Sequence, residues 1–99
     1  MRRRDLIFTD YAREKLRDRN IPESLVFSIF DNPQLRLIDV RAKNRLINVA
    51  KVLFKGKDRY VCIIYDKIND THELVNSFPI KERDLRSRVG RIWLNKHGK

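Results

Sequence analysis

The chain has 99 residues, of which 41% are hydrophobic and 36% charged, and its net charge is +10. This length fits one domain with one core, and the hydrophobic share excludes a disordered chain. Cys62 is the single cysteine, so no internal disulfide can form, and no apolar run reaches the roughly 20 residues of a membrane span. We therefore expect one cytoplasmic domain, residues 1–99, with a core over about 7–95, basic ends and no membrane partner.

The positive charge is concentrated in three parts of the chain. Residues 1–20 carry +3, residues 41–60 carry +6 and residues 81–99 carry +5, whereas the two segments between them carry −2 each. If the three basic segments converge in the fold, they create a field that attracts the phosphates of nucleic acid. The alternative is a generally basic surface on which Lys and Arg are spread for solubility. The clustering favours nucleic acid as a partner.

A first helix is predicted to begin at Thr9 or Asp10. Asn20 fits its end, because Asn tolerates the left-handed conformation that terminates helices. Apolar residues recur at every fourth position, as on the buried face of a helix: Phe8, Ala12 and Leu16.

A second helix is predicted after a tight link. Pro22 suits its first turn, and Asn32 with Pro33 ends it. Its apolar seam consists of Leu25, Val26, Ile29 and Phe30. The two helices then make a helical hairpin.

From Leu35 onward the hydrophobic period changes from about 3.6 to 2, and β-branched and aromatic residues become frequent. Residues 60–65 are apolar at every position, which predicts a central strand covered on both faces. Short links predict an antiparallel meander. The strands are expected at about 35–40, 45–54, 59–66 and 72–79. The prediction is an α+β domain, in which the helical hairpin packs on three or four antiparallel strands and a C-terminal helix follows.

Six cations in the second half of the chain are expected to bind nucleic acid. Strand alternation predicts that Lys51 and Lys55 share a face with Ile47, Val49 and Leu53. The C-terminal helix has an apolar stripe formed by Leu85, Val89, Ile92 and Trp93. Four arginines cover the rest of that helix and can pair with phosphate through two hydrogen bonds each: Arg83, Arg86, Arg88 and Arg91. The alternative is a solvated helix whose cations are favourable near its C-terminus.

Several common kinds of site are absent from the sequence. Its three glycines form neither GxGxxG nor GxxxxGK[ST], so no nucleotide-binding loop is present. Cys62 with the distant His72 and His97 does not make a zinc site, and no GxSxG motif suggests a serine hydrolase. We expect no metal and no other cofactor.

One reaction needs few special residues: RNA cleavage with the neighbouring 2′-hydroxyl as nucleophile. It requires positive charge at the phosphate, one group that takes a proton and one that gives a proton. The candidate catalytic residues are Tyr11, Lys15, Arg19, Tyr65, His72 and Ser77. Lys15, Arg19 and an arginine of the last helix would stabilise the phosphorane charge. The protons would be moved by Tyr11, Tyr65 or His72, and Ser77 would donate a hydrogen bond to a phosphate oxygen.

Each of these candidates also has an ordinary structural interpretation. Tyr11, Lys15 and Arg19 lie at i, i+4 and i+8 and form a row on the first helix, yet such a row is also typical of a solvated helix face. Tyr65 can be a core residue with its hydroxyl at the rim, and His72 a surface residue at a strand end. A serine in a strand, such as Ser77, is commonly passive.

The run FTDYAREKLRDRNIPESLVFSIFDNPQ, followed by a β-meander, resembles the small toxin-like domains related to RelE, ParE and BrnT of bacterial and archaeal toxin-antitoxin pairs. Their pattern has an aromatic-Thr start, His-Ala, Arg, Arg-Gly-Ile, an acidic apolar helix, an Asn-Pro stop and a strand that ends in Val-Thr. The resemblance covers about residues 7–79. The matching positions here are Phe8-Thr9, Tyr11-Ala12, Lys15, Arg19-Asn20-Ile21, Asn32-Pro33 and Val75-Asn76-Ser77.

The resemblance implies helices packed on a curved antiparallel sheet, an activity as a metal-independent RNase or gyrase inhibitor, and a cognate antitoxin that covers the basic face. The chain departs from the pattern in two places. Lys15 stands where the family has Arg, which keeps the charge. Tyr11 stands where the family has His, so catalysis requires that Tyr11 or His72 move the proton instead.

Our leading hypothesis is a toxin-like metal-independent endoribonuclease of the mRNA interferase type, which would act on RNA, free or on the ribosome. Two alternatives stay open. One is a basic nucleic-acid-binding module without chemistry, and the other is a protein-directed inhibitor of the ParE type.

Overall fold

The computed structural model describes residues 6–95, with six strands and three helices in that range. The expected basic ends and His97 therefore lie partly or wholly outside the described residues. The strands are β1 Leu6–Phe8, β2 Leu35–Asp39, β3 Arg45–Phe54, β4 Lys57–Ile68, β5 Thr71–Ile80 and β6 Trp93–Asn95. The helices are α1 Asp10–Arg19, α2 Glu23–Asp31 and α3 Glu82–Arg88.

The strands form one mixed sheet in the order β1-β5-β4-β3-β2-β6, in which β1 runs parallel to β5 and the other neighbours are antiparallel. The chain is α+β, but the prediction of a helical hairpin on three or four antiparallel strands is wrong, because the larger mixed sheet dominates the fold. β1 and β6 were missed since each has only three residues, too few to display a period of two. Both join the sheet through partners that are remote in sequence.

α1 forms because its first and last turns are capped by side chain and backbone. The Thr9 hydroxyl accepts a hydrogen bond from the Ala12 N–H at 3.0 Å, which satisfies one of the N–H groups that have no partner inside the helix. Asn20 takes the left-handed conformation at φ 56° and closes the other end. Ala12 and Leu16 are buried. The predicted caps of α1 are confirmed, as are Ala12 and Leu16 of its apolar stripe, whereas Phe8 lies before the helix in β1.

β4 is covered on both faces, as its unbroken apolar run predicts. Val61, Ile63 and Tyr65 belong to a buried cluster with α1 and α2. Cys62, between them, belongs to a second cluster with Leu85 of α3. Successive side chains of a strand point to opposite faces, so α1 and α2 cover one face of the sheet, the helical face, and α3 covers the other, the α3 face.

The predicted C-terminal helix is wrong beyond Arg88. The chain turns at Gly90, whose φ of +87° lies in the region that favours glycine. It then forms β6, where Trp93 pairs with Asp39 and is 1% exposed. Three apolar residues of the predicted stripe, Leu85, Ile92 and Trp93, do pack in the core, through a short helix, a turn and a strand, whereas Val89 is 37% exposed.

Asp39 holds the start of the β2–β3 connection through a buried carboxylate. Its side chain is 5% exposed and accepts hydrogen bonds from the Arg41 Nε and Nη2 atoms, each at 3.0 Å. The Arg41 backbone N–H donates to the same carboxylate at 2.9 Å. The Arg41 guanidinium lowers the pKa of Asp39 below its ordinary value of 3.8, burial opposes this shift, and the Trp93 indole adds a smaller lowering.

The lowered pKa makes the stability that Asp39 provides dependent on pH. At a pH between the pKa values of Asp39 in the folded and the unfolded chain, the unfolded chain binds more protons than the folded one. The stabilisation by Asp39 is therefore present above about pH 4 and is lost as the pH falls through its folded pKa. When the pH is lowered from about 5 to 2, we expect the free energy of unfolding of Asp39→Asn to fall by less than that of the unchanged protein. Urea titrations at each pH measure this difference. An equal loss in both proteins would contradict this role for Asp39.

Candidate nucleic-acid interface

The three basic segments of the sequence do not form one surface. Lys15 on α1 belongs to the helical face, whereas the arginines of α3 belong to the α3 face, on the opposite side of the sheet. The structure does bring the other two segments together, because Lys51 of β3 and Lys81 at the start of α3 line the same cleft. The expected convergence therefore involves residues 41–60 and the segment from 81 onward, without α1.

The predicted row on α1 is present, but its first two residues lie against each other whereas its last residue bonds to the sheet. Tyr11 is 58% exposed, and the Lys15 Nζ atom lies 5.3 Å from its ring centroid. Arg19 instead turns toward the sheet, where its Nη1 atom donates to Asn76 Oδ1 at 2.6 Å and to Ser77 O at 2.8 Å. Since β1 pairs with β5 only as far as Leu74, Arg19 satisfies a carbonyl at an uncovered sheet edge.

An acidic row lies beside the basic row on α1. Asp10, Glu14 and Asp18 have the same spacing of four, one residue before Tyr11, Lys15 and Arg19. α1 thus carries three acidic and four basic residues. Because these charges nearly cancel, the positive field of α1 is weak for a surface that has to bind a polyanion.

Ser77 is fully buried, at 0% exposure, and its hydroxyl donates to Cys62 O at 2.9 Å. Its backbone N–H donates to Asn76 Oδ1 at 2.9 Å. In this arrangement Ser77 does not reach a phosphate. Burial raises the pKa of the Cys62 thiol to about 12, so this thiol stays protonated and is not a nucleophile near neutral pH.

Tyr65 and His72 lie in an aromatic cluster beside the end of α2. The ring centroids of Tyr65, His72 and Phe30 are 5.1–5.4 Å apart in edge-to-face arrangements. The Tyr65 hydroxyl donates to Asn48 Oδ1 at 2.9 Å, and Asn48 Nδ2 donates to Phe30 O at 3.1 Å. Desolvation raises the pKa of Tyr65. This network satisfies a carbonyl in the last turn of α2, which is a structural role.

The six candidate catalytic residues are therefore not assembled into one site. His72 and Ser77 lie five positions apart on β5, which is about 16–17 Å at about 3.3 Å per residue. Ser77 and Tyr65 are buried. The set divides into two groups: Tyr65 with His72, whose ring centroids are 5.4 Å apart, and the α1 row, whose Arg19 reaches the carbonyl of the buried Ser77.

A basic cleft lies on the α3 face, where the β3–β4 hairpin meets the end of β5. This cleft has a volume of about 430 Å³ and is lined by Lys51, Lys57, Asp58, Arg59, Tyr60, Pro79, Ile80, Lys81 and Glu82. Lys51 stands directly opposite Tyr60 in the ladder, and its Nζ atom lies 5.6 Å from the ring centroid. Tyr60 is half-buried and packs against the buried cluster of the α3 face.

The charges of the cleft are unbalanced. Among residues 6–95, no carboxylate lies within 4.0 Å of the ammonium groups of Lys51, Lys57 or Lys81. Of the two acidic residues in the cleft, Glu82 is paired with Arg86 at 2.7 Å. The cleft thus keeps a positive field with an aromatic ring inside it.

The other predicted nucleic-acid-binding residues have mixed roles. Arg88 lies 5.0 Å from the Trp93 ring centroid and 5.9 Å from that of Phe78, so it packs over the α3 face. The remaining four are exposed. Lys55 lies in the β3–β4 turn at φ 53°, Arg83 is 3.9 Å from Asp84, Arg86 pairs with Glu82, and Arg91 lies in the turn between α3 and β6.

Sequence reasoning found Lys51 but missed most of the cleft. The missing residues are Lys57, Arg59, Tyr60 and Lys81. A signal for three of them was present, since a turn at Lys55–Gly56 sets residues 57–60 opposite residues 51–54. No local signal placed Lys81 beside them.

No family model matches the chain, and no match was found among curated proteins or solved structures. The resemblance to the RelE, ParE and BrnT toxins therefore stays a prediction from the motif. Within the described range, no helix is long and apolar enough to cross a membrane. Across residues 6–95, no three His, Cys, Asp or Glu side chains are grouped so that they could hold a metal ion.

Proposed function

We propose that the protein is a toxin-like RNA-binding protein that holds single-stranded RNA in the cleft between the β3–β4 hairpin and the start of α3. The observation that carries the proposal is the half-buried ring of Tyr60 in one cleft of about 430 Å³ with Lys51 and Lys81, two cations without an ion pair among the described residues. Proteins bind single strands by combining a positive groove for the backbone with aromatic rings on which bases stack.

The chemistry of the cleft favours a single strand over a duplex. The phosphates would lie against Lys51 and Lys81, on either side of the cleft, while an unpaired base stacks on Tyr60. Duplex RNA hides its bases and is recognised through shape and 2′-hydroxyl contacts across a wide, shallow groove. An open cleft with one aromatic ring suits a base that is free to enter.

A second candidate function is metal-independent RNA cleavage in the same cleft. Asp58 supports it, because its carboxylate has no ion pair within 4.0 Å among the described residues and lies in the cleft with Lys51 and Tyr60. Asp58 would take the proton of the 2′-hydroxyl, whose oxygen attacks the phosphorus. The P–O5′ bond then breaks, and Tyr60 or Lys51 would protonate the leaving 5′-oxygen.

A toxin-like role implies a cognate antitoxin. An acidic segment of that protein would complement the cations of the cleft and compete with RNA for them. Action on cellular RNA and a single protonated thiol, Cys62, both fit the cytoplasm, which we propose as the location.

The test uses the purified chain with a labelled single-stranded RNA in EDTA, titrated between about 50 and 200 mM salt. We expect binding whose logarithm falls with the logarithm of salt at a slope of about −0.7 for each phosphate contact, hence about −2 to −3 for three or four contacts. Absence of salt-dependent binding at low salt would contradict the proposal.

The same samples separate binding from cleavage. Fragments with 2′,3′-cyclic phosphate ends would support the second candidate, and a control RNA with 2′-deoxyribose at the cleaved position should then stay intact. Intact RNA with strong binding would support the RNA-binding function alone.

A further inference from the structure

A second basic concavity lies at the opposite end of the sheet from the cleft. It has a volume of about 580 Å³ and is formed by the connection between β2 and β3, which we call the basic loop, residues 39–46, together with Ile38 and Lys67 of β4. Four cations line it, against one carboxylate, that of Asp39. The cations are Arg41, Lys43, Arg45 and Lys67.

Two of these cations are held in fixed positions by carboxylates, that of Asp39, which lines the concavity, and that of Asp66, which does not. Arg41 binds the Asp39 carboxylate through Nε and Nη2 at 3.0 Å. Arg45 binds Asp66 in the same way, at 2.7 and 2.9 Å. Both guanidinium groups keep Nη1 free of hydrogen bonds to any residue within 6–95. Their side chains are 61% and 31% exposed, so the free donors need little further ordering to meet a ligand.

The other two cations are unopposed. Lys43 and Lys67 are exposed, and neither ammonium group has a carboxylate within 4.0 Å in the described part of the chain. The loop that carries Lys43 is tied to β4, because the Lys67 N–H donates to Asn44 O at 2.9 Å. Four positive groups are thus gathered on a fixed backbone with no acidic partner for two of them.

We infer that the basic loop with Lys67 is a second phosphate-binding site, which holds a distant part of the same RNA strand that occupies the cleft. Arg45 and Lys51 are six residues apart on β3, which places the two sites about 20 Å apart along the strands. A span of this size is in the range of the roughly 4–16 nucleotides that compact single-strand-binding domains cover. The inference rests on the proposed function, since it assumes that RNA binds in the cleft.

The experiment compares a short RNA with a long one on the same protein. An oligonucleotide of about 3 nucleotides occupies the cleft alone, whereas one of about 15 can reach both sites. The test variant is Lys43→Gln with Lys67→Gln, which leaves the buried Asp39 and its partner Arg41 untouched. The matched control is Arg13→Gln with Arg17→Gln, which removes the same charge from the exposed side of α1.

The expected result is that the test variant binds the long RNA about 10-fold more weakly and with a salt slope about 1.4 less steep, as the loss of two phosphate contacts predicts. Its affinity for the short RNA should change by less than about 2-fold, and the control should stay close to the unchanged protein on both RNAs. The second site is overturned if the test variant binds both RNAs equally more weakly, or if its effect on the long RNA is no larger than that of the control. The proposal that RNA binds in the cleft is unaffected by either result. If the unchanged protein binds neither RNA, the proposed function itself fails.

Discussion

Tyr60→Ala is expected to weaken the binding of single-stranded RNA by about 1–3 kcal/mol, or about 5- to 150-fold, because a base loses the ring on which it stacks. Tyr60→Phe keeps the ring and should bind within about 3-fold of the unchanged protein. The measurement is a filter-binding or fluorescence titration at constant salt, with a thermal unfolding curve to show that both variants fold.

Tyr11→Ala is the matched control for this substitution. Tyr11 and Tyr60 each have a lysine ammonium over the ring, at 5.3 and 5.6 Å, but they lie on opposite faces of the sheet. If RNA binds in the cleft, Tyr11→Ala leaves affinity nearly unchanged. If Tyr11→Ala is the damaging substitution and Tyr60→Ala is neutral, the row on α1 is the binding surface and the cleft is not.

Trp93→Ala is expected to lower the free energy of unfolding by about 3–5 kcal/mol, a large share of the roughly 5–15 kcal/mol that stabilises a small domain. Trp93 is 1% exposed and packs in the cluster of the α3 face with Leu37, Ile47 and Leu85. Its removal leaves a cavity under β6 and α3. Urea unfolding followed by circular dichroism measures the change.

Leu94→Ala is the neighbouring control. Leu94 is 36% exposed, because the next side chain of β6 points to the other face of the strand. We expect a loss below about 1 kcal/mol there, since only part of the side chain leaves water on folding. Similar losses at Trp93 and Leu94 would contradict the strand geometry of β6.

Local signals in the sequence were sufficient for the parts of the fold that depend on neighbours in the chain. Thr9 and Asn20 predicted both ends of α1, because a capping hydroxyl and a left-handed residue act within one turn of the helix. The apolar run of residues 60–65 predicted a strand buried on both faces, because this signal also lies within one short segment of the chain. The candidate site was predictable only in part: Lys51 was named, but its partners across the hairpin were not.

The sequence by itself determined the strong positive charge, the two N-terminal helices and the central strand. The tertiary structure decided that β1 is parallel to β5, that Trp93 lies in a strand, and that Lys81 meets Lys51 while Lys15 lies on the far side of the sheet. The physical reason is that these outcomes depend on pairing between remote segments. In a sheet a shift of one residue moves a side chain to the opposite face, so the meeting of charges is fixed by strand register and not by their order along the chain.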